Sequence, residues 1–425
     1  MVSATGPLVA SGLIFITANG PLIVDNRGNP VWYQSAPAGK SVADLNVQLY
    51  QGQPVLTWWE GTVMSPGFGR GEHVVMDTQY SELRRINAAN GYQADLHELV
   101  LTTRGTALVT AYQPVAADLS AVGGSAKGML FDCVIQEIEL STSRVLLEWH
   151  SRDHVSPAES YAALPTASTT AYDYFHVNSI DVGPDGNLLI SARNTWALYK
   201  LHRQTGAVTW RLGGKRSDFH LGTGVSFSWQ HDARWRPDGS LTLFDDAASP
   251  KEASQSRGLQ LTVDESAKTV AVKQQFTHPG GLLATSQGNM QLLDDGHLLV
   301  GWGSLPNFSE FTAAGEMIFD GKLATNQSYR AFRFPWTGKP TTTPTVVGRR
   351  TGTDLQLFAS WNGATDVARW EVHAGASAAA LAPVTTAAQS GFETTISVPT
   401  SGPFVAAHAL DSAGSMLGIS PTIKV

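Results

Sequence analysis

The sequence predicts an all-β chain. Residues 1–338 read as a six-bladed β-propeller closed by strands from its N- and C-terminal ends. A Pro/Thr linker at 339–345 and a small fibronectin- or immunoglobulin-like β-sandwich at 346–425 follow it. Three observations lead there: a hairpin turn that recurs at a blade-like spacing, a second strand pair after each turn, and two incomplete ends that complement each other.

The recurring turn ends in glycine. It occurs at YQGQ (Gly52), TTRG (Gly105), GPDG (Gly186), RPDG (Gly239) and LDDG (Gly296), at spacings of 53, 81, 53 and 57 residues. Asp-Gly between β-rich runs is a strong hairpin signal. The long second interval marks one insertion before the third turn. After the turns come phrases such as IQEIELSTSRVLLEWH (135–150), ALYKLHRQTGAVTWRLGG (197–214) and FSEFTAAGEMIFDGK (308–322). Four short strands in about 50 residues make one propeller blade. Helical i, i+3, i+4 periodicity is nearly absent.

Five such units, numbered here in chain order, account for about residues 40–325. The N-terminal end offers LIFITA, PLIVDNRG and NPVWYQ, three strands without a first one, and YRAFRFP (329–335) is a lone strand. Joined, they make a closing blade and remove the exposed sheet edges that invite aggregation. TGKPTTTPT (337–345) reads as a linker. Beyond it, alternating strands with Trp361 and Trp370 available as core suggest a small sandwich. Its histidines, His373 and His408, are expected to be surface or core side chains rather than functional ones.

Composition excludes several partners. Charged residues make up 15% of the chain, the net charge is −7, and no run of lysine or arginine occurs. A nucleic acid or anionic membrane would need a basic patch. No window of 18 uninterrupted apolar residues predicts a membrane span. The single cysteine, Cys133, lies in an alternating apolar run and reads as a packed strand residue. The N-terminal stretch lacks a basic leader, so the chain is expected to be cytoplasmic or to have lost a leader before this numbering begins. Asn-x-Ser sequons stand at Asn307 and Asn326.

Candidate functional residues follow from register. In a propeller the first strand of each blade lines the axial channel, and positions an even number apart share a face. Eight residues before Gly105 stands His97, and eight before Gly239 stands His231. Eight before Gly186 stands Asn178, with His176 two further back. The same count reaches Asp44 in the first unit, Gly288 with Ser286 in the fifth, and Asp95 beside His97 in the second. Three histidines in one register are expected to meet near one mouth of the channel. Arg257, after the fourth hairpin, and Arg193, ending the second strand of the third unit, are candidate oxyanion ligands. His278 would approach from the connection between units four and five. Tyr172 and Tyr174 could stack on a ligand or offer a phenol.

The series DLHELVLTTRGTALVTAYQ, HVNSIDVGPDGNLLISAR, FSWQHDARWRPDG and GNMQLLDDGHLLVGWG resembles the arylsulfotransferase family over about residues 10–335. That resemblance implies a propeller enzyme independent of PAPS. It would move a sulfuryl group from an aryl sulfate to a phenol through a sulfohistidine, with no cofactor and no metal. It implies that His176 and His231 match the two histidines lining the family's active site. Arg257 would match its sulfate-binding arginine, with His278 the nearest candidate for the nucleophile, and export to the periplasm or beyond is also implied. Histidine suits the chemistry, since its free pKa near about 6.5 leaves a neutral nitrogen at neutral pH. No GxxxxGK[ST] or strand–GxGxxG–helix unit is present to cradle a nucleotide. Other readings stay open from the residues: another reaction on a natural product (cyclisation, elimination or hydrolysis), a non-catalytic ligand-binding propeller, or a metal held by the three histidines.

Overall fold

A computed structural model describes residues 2–4, 8–324, 327–352 and 354–425, so the sequon at Asn326 lies outside the described residues. The chain from residue 13 to 334 folds into six antiparallel sheets. Unit one pairs strands 41–50, 53–64, 68–76 and 82–86; unit two pairs 99–101, 106–117, 128–139 and 145–150. Unit three pairs 177–182, 188–192, 197–201 and 208–213. Unit four pairs 231–235, 240–245, 257–264 and 269–276, with 220–221 added at its rim. Unit five pairs 289–292, 298–301, 307–311 and 317–322, with 2–4 on its outer edge.

The sixth sheet joins the ends. Strand 332–334 pairs with 13–17 in the register Phe334↔Leu13, Arg333↔Ile14 and Phe332↔Phe15, and 21–24 and 30–33 complete the blade. The propeller and its closure are thus as the sequence predicted. The hairpin turns need their glycines: Gly186 and Gly239 sit at φ 79° and 76°, in the left-handed region where a Cβ is strained. Middle strands such as Leu188–Ala192 are buried at every position, because neighbouring blades cover both faces. The outermost strand 269–276 alternates, with Val270 and Phe276 buried between exposed neighbours. Cys133 is fully buried in strand 128–139.

The axis of the ring is filled by charge. Arg330, just before the closing strand, is fully buried. It reaches Asp44 Oδ2 at 3.1 Å, Glu98 Oε2 at 3.2 Å and Asp232 Oδ1 at 3.4 Å. Arg234 joins the same group, 2.5 Å from Glu98 Oε2 and 2.8 Å from Asp232 Oδ1. Two guanidinium groups face three carboxyl groups, which balances if one carboxyl keeps its proton. Asp44 is the carboxyl pushed towards keeping a proton: burial, opposed by Arg330 and reinforced by Glu98, raises its pKa to about 7, and its Oδ1 has no hydrogen-bond partner among the described residues.

The C-terminal residues form two facing sheets. Strands 345–351, 354–360 and 393–398 make one; 380–388, 369–377, 404–410 and 416–419 make the other, with 423–424 added on 404–410. Trp370 is fully buried between them. Trp361 packs only partly against this core, and its Nε1 donates to the Thr342 carbonyl at 2.9 Å. The sandwich is seated on the propeller through Asn362, which exchanges hydrogen bonds with the Tyr33 backbone, and through Tyr80, whose hydroxyl donates to the Gly363 carbonyl at 2.9 Å. Among the described residues, no helix is long and apolar enough to cross a membrane.

Candidate functional site

A cavity of about 1070 Å³ opens at one end of the axis, and residues from all six blades line it. Its floor carries His97 from unit two, His176 from unit three and His231 from unit four, with Tyr329 from the closing segment. The insertion before the third turn supplies one wall, from Ala162 to Asp173. The long interval in the repeat is therefore the part of the chain that builds over the site.

Each imidazole is held by its own carboxylate on the same nitrogen. His97 Nδ1 lies 2.5 Å from Asp95 Oδ2, His176 Nδ1 lies 2.5 Å from Asp173 Oδ2, and His231 Nδ1 lies 2.7 Å from Asp246 Oδ2. An acceptor on Nδ1 places the proton there and leaves a lone pair on Nε2. The carboxylates are themselves anchored. Asp95 accepts from Gly69 N at 2.5 Å and from the Thr110 hydroxyl at 3.1 Å. No described protein atom is hydrogen-bonded to Nε2 of His97 or His176, whereas His231 Nε2 accepts from Gln287 N at 3.3 Å.

The rings are close. The centroids of His97 and His176 are 5.0 Å apart with planes at 83°, and His97 and Tyr329 are 5.6 Å apart. Tyr112 lies behind both rings, 5.6 Å from His176, and donates to the Val177 carbonyl at 2.6 Å. His176 adopts φ 57°. A non-glycine residue there carries about 1–3 kcal/mol of strain that the surroundings must offset.

Burial sets the protonation of His176 and His231. It lowers the pKa of His176 despite the opposing pull of Asp173, and His97 and Arg193 push it the same way. Burial, then Arg193 and the other two histidines, hold His231 well below the usual imidazole range, while burial drives its partner Asp246 up. His176 and His231 are thus neutral bases at neutral pH. Burial opposes ionisation of Asp95, but His97 and the backbone donors outweigh it and keep its pKa low.

Arg193 is the cation on this cavity. Its Nη1 donates to Asn194 Oδ1 at 2.9 Å and its Nη2 to the Thr285 carbonyl at 3.1 Å. The guanidinium stacks 4.7 Å from the Trp229 ring. Two of its five N–H donors are committed, and the rest can serve a ligand oxyanion.

Several expected residues lie elsewhere. Arg257 is not on the cavity: its Nε holds Asp245 at 2.9 Å, Nη1 holds Gln275 at 2.9 Å and Nη2 holds the Ser226 carbonyl at 2.7 Å. It ties the second and outermost strands of unit four together. His278 is also off the cavity, its Nδ1 accepting from Gly280 N at 2.9 Å and its ring edge-on to Trp302 at 5.6 Å. The glycine-rich turn after it folds back on the ring and holds it on the outer side of unit five. Tyr174 packs in the core against Phe175, while Tyr172 lines the cavity and donates to the Ala162 carbonyl at 2.8 Å. Asn178 lies one layer below, donating to the Gln230 carbonyl at 2.7 Å and offering its own carbonyl to Arg330 at 3.0 Å. Asp173, Asp246, Trp229, Gln287 and Tyr329 were not singled out from the sequence. The only local signals for them were an aspartate three residues before His176 and the Asp245-Asp246 pair ending a strand.

The arylsulfotransferase (ASST) family model matches residues 46–325, about two thirds of the chain. The chain belongs to the arylsulfotransferase family. Among curated proteins, no sequence matches. Solved structures with a similar chain course include a protein of unknown function from Bacteroides caccae, at 11% identity and TM-score 0.47, covering 76% of this chain and 98% of that one. Regucalcin, a calcium-binding protein of Agrobacterium tumefaciens, gives 11% and 0.37 over 72% of this chain and 77% of its own. Virginiamycin B lyase of Staphylococcus aureus gives 12% and 0.33 over 89% and 97%. These scores are low and carry no weight for the chemistry.

Proposed function

We propose that this protein transfers a sulfuryl group from an aryl sulfate to a phenol, with His176 as the nucleophile. The observation that carries the reading is the set of three imidazoles on one cavity, each fixed through Nδ1 by a carboxylate, with no hydrogen bond to Nε2 of His97 or His176 from any described residue. Family membership supports the reaction class.

The Nε2 lone pair of His176 attacks sulfur, the sulfur–oxygen bond to the aryl group breaks, and the aryl oxide leaves and takes a proton from solvent. The positive charge on the sulfated ring is matched by Asp173 on Nδ1. In the second half, the acceptor phenol attacks sulfur, the nitrogen–sulfur bond breaks, and the phenol proton passes to Nε2 of His97. Splitting the transfer in two replaces one hard step by two easier ones. Arg193 offers its uncommitted N–H groups to the equatorial oxygens, where charge must be stabilised at the transition state. His231, bonded at both nitrogens, holds the far wall and orients Gln287.

The test is release of nitrophenol from 4-nitrophenyl sulfate in the presence of a phenol acceptor. Turnover that depends on the acceptor and disappears in His176→Ala supports the reading. Acceptor-dependent turnover retained in His176→Ala removes His176 as nucleophile, and no turnover across a panel of aryl sulfates removes the reaction itself.

A further inference from the structure

The C-terminal sandwich carries a second histidine cluster, remote from the cavity. Glu371 and His373 lie on strand 369–377 and His408 on strand 404–410, which pair in the register Glu371↔His408 and His373↔Ala406. Alternation places all three on one face, since Trp370, Val372, Ala407 and Ala409 on the other face are buried in the core. Each of the two strands is flanked on both sides within its sheet, so the Cα positions are fixed.

The side chains converge. The rings of His373 and His408 stack with centroids 3.8 Å apart and planes at 20°. His373 Nε2 lies 2.7 Å from Glu371 Oε1. One ligand atom from each of the three residues falls within 4.8 Å of the others. Neutral imidazole is the form that ligates metals. All three residues are partly exposed, which gives an ion a way in.

We propose that Glu371, His373 and His408 form a binding site for a divalent ion of the zinc–copper class, with water in the fourth position. Two imidazoles and a carboxylate suit zinc, at roughly 2.0–2.2 Å from each donor. A tetrahedral ion asks the donors, now within 4.8 Å of one another, to close to about 3.5 Å. Soft-to-borderline nitrogen donors disfavour magnesium and calcium, which take oxygen. The other three-residue group, Asp295, His297 and Glu310, is already committed, because Glu310 is paired with Arg333 at 3.0 Å and accepts from Ala10 N at 2.7 Å.

The experiment is calorimetric titration of the full chain, stripped of metal by chelator, with zinc chloride and then copper chloride. The expected result is one zinc-binding event that weakens at least about tenfold in His373→Gln and in His408→Asn, and by about tenfold in Glu371→Gln. It should persist in the His97→Ala/His176→Ala double variant, which separates it from the propeller histidines. These partly exposed positions tolerate polar substitution, and circular dichroism checks the fold of each variant. Absence of zinc and copper binding by the wild type overturns the proposal. So does binding that is unchanged in His373→Gln/His408→Asn or lost only with the propeller histidines.

Discussion

His97 and His176 meet edge to face, with ring centroids 5.0 Å apart, yet they arrive from different blades and each is braced by a separate aspartate. In the proposed mechanism one ring carries the sulfuryl group while the other handles the acceptor's proton. His176→Ala should therefore lower kcat by about three orders of magnitude or more, as loss of a nucleophile does. His97→Ala should cost about 10²–10⁴-fold, concentrated in the acceptor step. Stopped-flow measurement of the nitrophenol burst separates the two, because His97→Ala should keep a burst and His176→Ala should lose it.

The pH profile follows from burial. The folded pKa of His176 lies below the ordinary 6.5, so its nucleophilic form is fully populated at neutral pH and declines only on acidification below that value. The rate of the first half-reaction between pH 5 and 8 should rise with pH to a plateau, with its half-maximum below about 6.5. A midpoint at or above 6.5 would contradict this assignment.

Arg193 and Arg257 should differ sharply. Arg193→Lys removes the planar donor array that faces the cavity and loses the stacking on Trp229. Its kcat should fall by about 10²–10³-fold. Arg257→Gln loosens unit four at Asp245 and Gln275. It should leave KM and kcat within a few-fold while lowering the melting temperature, and steady-state kinetics with thermal denaturation would show the split.

The axial charge cluster makes a prediction about closure of the ring. Arg330→Met leaves Asp44, Glu98 and Asp232 buried without their shared cation, and breaking such a group costs about 3–5 kcal/mol. Asp44→Asn keeps the neutral form already favoured and should be tolerated far better than Glu98→Gln. The sign of the pH effect is fixed: Asp44 titrates higher in the fold, about 7 against 3.8 when free. Its stabilising contribution is complete below 3.8 and is lost as pH rises through about 7. Urea denaturation at pH 5 and 8 should show that loss in the wild type and its absence in Asp44→Asn.

The blades were legible because each is a local event: a glycine that must turn at positive φ, followed by strands whose spacing repeats. The closing strand was legible too, because Leu13 and Phe334 each sit in a segment that lacks a neighbour. Counting back from the turns placed His97 and His231 on the cavity but Asn178 and Asp44 one layer deeper. Register shifts at Ala43/Asn46, Val177/Ser179 and His231/Arg234 interrupt the alternation of these strands, so a count from the turn does not fix which face a residue takes. Asp173 and Asp246 could not be paired with their histidines from sequence, because one comes from the insertion and the other from a neighbouring strand. Arg257 and His278 were misplaced for a similar reason: their partners Asp245, Gln275 and Trp302 are fixed only by the folded sheets.

The central claim is that the sulfuryl group rests on His176. Incubation of the chain with 4-nitrophenyl sulfate without acceptor, followed by rapid quenching at alkaline pH and peptide mass spectrometry, reads this directly. A sulfuryl adduct on the peptide carrying His176, discharged on addition of a phenol, is the predicted result. An adduct on His97, His231 or His278, or no adduct during active turnover, would contradict it.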